Sequence, residues 1–132
     1  MSVIGTYIVN VMSILNQHNH TMHNKLESIS QFENRVINSQ VPVVVEFGAD
    51  WCGTCQILSA SIKPILANYE GKINYYQVDF EETKEIVHNC GVTYLPTYIF
   101  FNRGIMVDSF KGALSREAIA KKFKDLVNNN QS

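Results

Sequence analysis

Residues 41–47 read VPVVVEF, a stretch that is β-branched and almost continuously apolar. Successive side chains of a strand point to opposite faces, so a half-solvated strand alternates apolar with polar. A run without that alternation is buried on both faces, and a sheet covered on both sides provides such a place. This one stretch therefore predicts an α/β architecture with helices on both faces of a central sheet. The chain has 132 residues, which suits a single domain able to bury a sizeable core. Its 45% hydrophobic content excludes a disordered acidic or basic tail protein. With 11 basic against 12 acidic residues and a net charge of −1, no phosphate-tracking surface is expected, hence no nucleic-acid partner. No apolar stretch approaches the roughly 20 residues of a spanning helix, so no membrane insertion is expected.

The rest of the chain alternates strand and helix signals. Residues 26–29 read as a short strand, followed by a helix capped by Ser30 and running to about Asn38, with Phe32, Val36 and Ile37 inward. After the 41–47 strand, residues 52–69 carry helical periodicity (Leu58, Ile62, Ile65, Leu66, Tyr69) up to Gly71. Residues 73–80 read as a third strand and 81–88 as a short helix. Strands at 98–101 and 105–110 are joined by the turn Asn102-Arg103-Gly104. Ser115 caps a last helix with the stripe Ile119, Phe123, Leu126, and residues 128–132 are expected to fray as a tail. The order βαβαβα then ββα predicts a central mixed sheet. The domain is expected over 24–127. Residues 1–23 form an N-terminal extension, flexible or a short amphipathic helix (Ile4, Tyr7, Ile8, Val11, Leu15), with a polar histidine-bearing linker (His18, His20, His23). It shows no clear secretory or transit signal, and Met22 is an alternative start.

The chemistry lies at the strand-to-helix junction. Trp51-Cys52-Gly53-Thr54-Cys55 puts two of the three cysteines one helical turn apart at a helix start. Residues i and i+3 share a face, so the two sulfurs can close a disulfide ring. A helix start also offers unpaired N–H groups and positive potential, which stabilise a thiolate on the first cysteine. Cys52 is thus expected to attack a disulfide, with Gly53 keeping its approach open, and Cys55 to release the product. Two other readings stay open from the residues alone. A zinc site would add Cys90 and His88, though structural zinc sites favour a knuckle turn over a helix start. A Cys/His hydrolase is disfavoured because a second thiol three residues away would oxidise onto the nucleophile.

These motifs, with Tyr69-Glu70-Gly71-Lys72, Tyr94-Leu95-Pro96-Thr97, Phe101-Asn102-Arg103-Gly104 and Lys111-Gly112-Ala113-Leu114-Ser115, resemble the thioredoxin family over about residues 25–127. The resemblance implies a thioredoxin-like fold and a cis bond at Pro96, with the Leu95 backbone free to pair with an extended substrate segment. Alone, Pro96 reads equally as a strand-entry proline. Glu46 matches the family's buried acid behind the second cysteine. Inside VVVEF it has little water, so its pKa should rise into the range useful for taking the Cys55 proton; the alternative is an exposed strand-end glutamate. Trp51, Gly53, Leu95, Pro96, Gly112 and Ala113 would form the apolar patch that receives a partner. Departures accompany these matches. Thr54 stands where proline is usual and adds a hydroxyl that could donate to the Cys52 thiolate. Gln56 and Gln77 stand where cations are usual, and Gly48 replaces an aromatic, leaving room that Tyr75 or Tyr76 would fill.

The resemblance implies a dithiol–disulfide oxidoreductase that reduces protein disulfides and contributes to thiol redox homeostasis. It would bind no cofactor or metal, and its electrons would come from an NADPH-dependent flavoprotein, thioredoxin reductase. A monomer in the cytoplasm is the expected setting, since a free dithiol suits a reducing compartment. The alternatives are a disulfide oxidase or isomerase, which Thr54 keeps open, and a non-catalytic docking module of the same fold.

Overall fold

The computed structural model describes residues 24–130, so the expectations for residues 1–23, including the three histidines, lie outside the described residues. Helix α1 comprises Ile29–Phe32 and continues as a π-helical turn over Glu33–Ile37. There follow β1 (Val43–Gly48), α2 (Gly53–Ala67), β2 (Asn74–Asp79), α3 (Lys84–Asn89), β3 (Thr97–Asn102), β4 (Ile105–Lys111) and α4 (Arg116–Asn130). The sheet order is β2-β1-β3-β4, with β1 parallel to β2, and both β1–β3 and β3–β4 antiparallel. This is the expected α/β arrangement, a mixed sheet with helices on both faces.

Four expectations need correction. The strand expected at 26–29 shrinks to one parallel bridge, Lys25 with Gln77, and Ile29 is already helical. The cap is Ser28 rather than Ser30: its Oγ accepts from the Gln31 N–H at 3.1 Å, while Gln31 Oε1 accepts from the Glu27 N–H at 2.8 Å. That reciprocal pattern satisfies helix-start donors one residue before a strand could extend. Ile37, expected inward, is exposed because the π-helical turn rotates it off the core face of Phe32 and Val36. At the other end α4 stays helical through Asn130, so residues 128–130 are not a frayed tail. Ser115 does cap it, accepting from the Ala118 N–H at 3.1 Å.

Strand β1 is buried throughout Val43 to Phe47, and its alternation divides the core in two. Val43, Val45 and Phe47 join Tyr76, Val78, Ile99 and Phe101 beneath α1 and α3. Val44 points the other way, with Tyr98 and Phe100, against Leu58, Ile62 and Ile65 of α2 and Ile119, Phe123 and Leu126 of α4. Each fully buried aliphatic such as Ile62 stabilises the fold by about 1.5–3 kcal/mol. Glu46 lies two residues from Val44 and so shares the α2–α4 face. The β3–β4 turn uses positive φ at Arg103 (51°) and Gly104 (80°), and a β-carbon at Gly104 would meet the Ile37 carbonyl oxygen at 2.3 Å. Only glycine fits there.

Candidate active site

Four strand ends meet at one edge of the sheet. Phe47 pairs with Val78 and with Thr97, and Thr97 pairs with Lys111. The ends of β1, β2 and β4 and the start of β3 therefore bring the 51–55 turn, the 79–82 turn, Leu95-Pro96 and Gly112-Ala113 to one end of the molecule. Sequence-distant motifs become neighbours through register alone.

Cys52 is the N-cap of α2, in extended conformation (φ −92°, ψ 99°), and its sulfur accepts from the Cys55 N–H at 3.2 Å. The Cα atoms are 5.3 Å apart and the two sulfurs are bonded. Cys52 and Cys55 are both buried in this disulfide form. Thr54 is exposed, and the donor on the Cys52 sulfur is the Cys55 backbone rather than the Thr54 hydroxyl. A β-carbon on Gly53 would meet nothing within 4 Å, so the space beside Gly53 is open. Trp51 is 65% exposed, and its Nε1 donates to Glu81 Oε1 at 3.1 Å. The Gln56 side chain donates to the Asp50 carbonyl at 2.9 Å.

The Leu95-Pro96 bond is cis, as expected. Pro96 is buried, Leu95 half-buried, and the Pro96 carbonyl accepts from the Gly112 N–H at 2.9 Å, tying the two loops together. Trp51, Gly53 and Ala113 are exposed and Gly112 half-buried, which leaves an uneven rather than uniformly open patch.

Glu46 is only 4% exposed, which removes the strand-end alternative. Register places Gln77 and Tyr98 beside it on the two neighbouring strands. The Tyr75 hydroxyl and Gln77 Nε2 (3.1 Å) both donate to Oε2. Burial pushes the carboxyl above its ordinary range, while Gln77, the nearby Tyr98 and Ser59 hydroxyls and the charge of Lys63 pull it part of the way back. The Tyr98 hydroxyl is buried against the same carboxyl and its pKa is raised, by burial first and by the Glu46 charge second. A cavity of about 370 Å³ adjoins the group, bounded by Glu46, Gly48, Cys55, Ser59, Lys63 and Gln77 among others. Ser59, Lys63, Tyr98 and Glu81 are site neighbours that sequence reading missed. Cys55, Ser59 and Lys63 follow i, i+4, i+8 spacing on one helix face, a signal that could have found two of them.

Cys90, a candidate zinc ligand, is the C-cap of α3 and packs against the α1–α3 core. Burial pushes its thiol up to about 11. With Cys52 and Cys55 bonded to each other and Cys90 facing another core, the chain's thiols do not converge on one metal position. Among the described residues no helix is long and apolar enough to cross a membrane.

Comparison with known proteins gives a consistent result. The thioredoxin family model matches residues 23–125. A chloroplastic thioredoxin of Arabidopsis thaliana is 34% identical over 94 residues, 71% of this chain and 49% of the relative. Thioredoxin 1 of Nostoc sp. is 34% identical over 92 residues, 70% of this chain and 86% of the relative. The mitochondrial thioredoxin of Bos taurus is 33% identical over 73% of this chain and 58% of its own length, so the chain spans about half the length of some curated relatives it matches. The crystal structure of oxidised mitochondrial thioredoxin 3 from Saccharomyces cerevisiae superposes with a TM-score of 0.72 at 27% identity, covering 81% of this chain and 98% of that one. With the bonded cysteine pair at the helix start and the matching fold, these likenesses show that the chain belongs to the thioredoxin family.

Proposed function

We propose that this chain is a dithiol–disulfide oxidoreductase that reduces protein disulfides, and that Cys52 and Cys55 carry the reaction. The observation that carries the reading is Cys52 at the N-cap of α2, receiving the Cys55 N–H on its sulfur and bonded to Cys55. The N–H groups and positive end of the helix stabilise a thiolate there once the disulfide is reduced. That thiolate attacks a substrate disulfide: one substrate sulfur bonds to Cys52, and the other leaves as a thiolate that takes a proton from solvent. Cys55 then gives its proton to the Glu46 carboxylate and attacks the Cys52 sulfur. The mixed disulfide breaks, the Cys52–Cys55 bond forms, and the second substrate sulfur leaves as a thiolate that takes a proton from solvent, to which Glu46 returns its own. Two electrons and two protons have passed to the substrate.

Glu46 suits the acceptor role because burial raises its basicity while its hydrogen bonds keep the charged form accessible. Trp51, Gly53, Thr54, Leu95, Pro96, Gly112 and Ala113 are the surface on which the substrate segment rests. Regeneration by an NADPH-dependent flavoprotein reductase, a monomeric state, a role in thiol redox homeostasis and residence in a reducing compartment such as the cytoplasm belong to the same reading. The test is reduction of a protein disulfide with dithiothreitol as electron source. Turnover is expected from the wild type and background alone from Cys52→Ser; equal rates would end the reading. A reduction potential well above the glutathione range would assign the opposite, oxidising direction.

A further inference from the structure

The two oxygens of Glu46 are treated differently by the fold. Both the Tyr75 hydroxyl and the Gln77 amide donate to Oε2. Oε1 faces another neighbour. A β-carbon built on Gly48 would lie 3.8 Å from Oε1, 3.5 Å from the Cys55 sulfur and 3.4 Å from the Cys55 β-carbon. One point beside the bare α-carbon is therefore within 3.8 Å of both the sulfur and the oxygen, and it belongs to the cavity that Glu46, Gly48 and Cys55 line together. With Oε2 receiving two donors, Oε1 is the oxygen turned toward Gly48 and Cys55. The side chain that would block this space is the one that Gly48 lacks.

We propose that Tyr75 is a positioning residue for disulfide exchange: with Gln77 it holds Oε2, so that Oε1 faces the Cys55 sulfur across the space left by Gly48. The proposal rests on the reading of Glu46 as proton acceptor. One proton moves: the Cys55 S–H bond breaks, Oε1 takes the proton directly or through one water, and the electron pair stays on sulfur for attack on Cys52. The carboxylic acid returns its proton to solvent through the cavity before the next cycle. The groups facing Glu46 are Tyr75 and Gln77 from β2, Tyr98 from β3, and Ser59 and Lys63 from α2. Lys25, Asp50 and Asp79 also line the cavity, two carboxylates and, with Lys63, two ammonium groups. These charges balance, so burial and the direct hydrogen bonds set the carboxyl.

The test is single-turnover reduction of a protein disulfide by the pre-reduced full chain across about pH 5 to 9. The decay of the Cys52 mixed disulfide is followed separately from its formation, and the acid limb of that release step reports the Glu46 carboxyl. Tyr75→Phe keeps the ring and removes a donor that favours the charged form, so that limb should move to higher pH by about half a unit to one unit. Gly48→Leu fills the space between sulfur and Oε1 and should slow exchange about tenfold at every pH. Gly48→Ala places a β-carbon in ordinary contact and should fall between the two. If Glu46→Gln removes the limb while Tyr75→Phe leaves it in place, the positioning role is overturned and Glu46 remains the acceptor. If Glu46→Gln itself leaves the limb unchanged, both acceptor and positioning role fall, and Cys52→Ser alone then judges the oxidoreductase reading. Should Tyr75→Phe fail to fold, Gly48→Leu decides: a wild-type rate from it contradicts the geometry.

Discussion

Cys52 and Cys90 both cap helices, at opposite ends. Cys52 precedes the first turn of the fifteen-residue α2, where the Cys55 N–H points at its sulfur. Cys90 follows the last turn of the six-residue α3, at the carbonyl end of the helix, and its own N–H is spent on the Ile86 carbonyl at 3.0 Å. The first environment favours a thiolate, the second opposes one, and apolar packing adds to the opposition by pushing Cys90 up to about 11. The same side chain is thus set up as a nucleophile in one corner and as a small apolar filler in the other. What separates them is helix direction and solvation, not residue type.

The largest effect that bears on this contrast is Cys52→Ser, which should reduce turnover of a protein disulfide to the uncatalysed background. Any substantial residual rate would mean that another sulfur does the work. Next comes Glu46→Gln, expected to slow release of the mixed disulfide by about 100-fold, as loss of a general base does. The same variant should alter stability in a definite direction. Glu46 is raised in the folded state, so its contribution to stability is full below the ordinary carboxylate value of 4.5 and is lost as pH rises through the folded value. The gap in denaturation midpoint in favour of Glu46→Gln should therefore widen from about pH 4 to pH 8. A gap that stays constant would show that the carboxyl ionises no differently in the folded chain.

A finer probe is Gln56→Lys. A cation one turn into α2 should lower the pH at which Cys52 alkylates by a few tenths of a unit, while costing the helix about 0.3–1 kcal/mol against its own dipole. Iodoacetamide kinetics read the first effect and thermal denaturation the second. The smallest change is expected from Cys90→Ser, with turnover within about twofold of wild type because Cys90 is packed in the α1–α3 core rather than at the dithiol. A marked loss there would erase the contrast between the two corners.

The parts legible in the sequence are those written by local physics. The apolar run of β1, the spacing of the α4 stripe and the cysteine pair at a helix start each declare themselves within a few residues. Glu46 was readable for the same reason, since its flanks bury it. What surrounds Glu46 was only partly readable. Tyr75, Gln77 and Tyr98 reach it through strand register, which a single sequence does not fix. The first strand was misread because residues 26–29 are a short run whose helix signal, Ser28 followed by Gln31, begins inside it. The Ile37 error has another origin: a π-helical turn changes the angular step per residue, so a 3.6-residue pattern places the side chain wrongly.

The most direct measurement is site-resolved alkylation of the fully reduced chain over a pH series, with each cysteine followed separately by peptide mass. Cys52 should react with a midpoint well below the roughly 8.5 of a free thiol, and Cys90 should lag far behind it. A Cys52 midpoint at or above that of a free thiol, or Cys90 reacting first, would contradict the account.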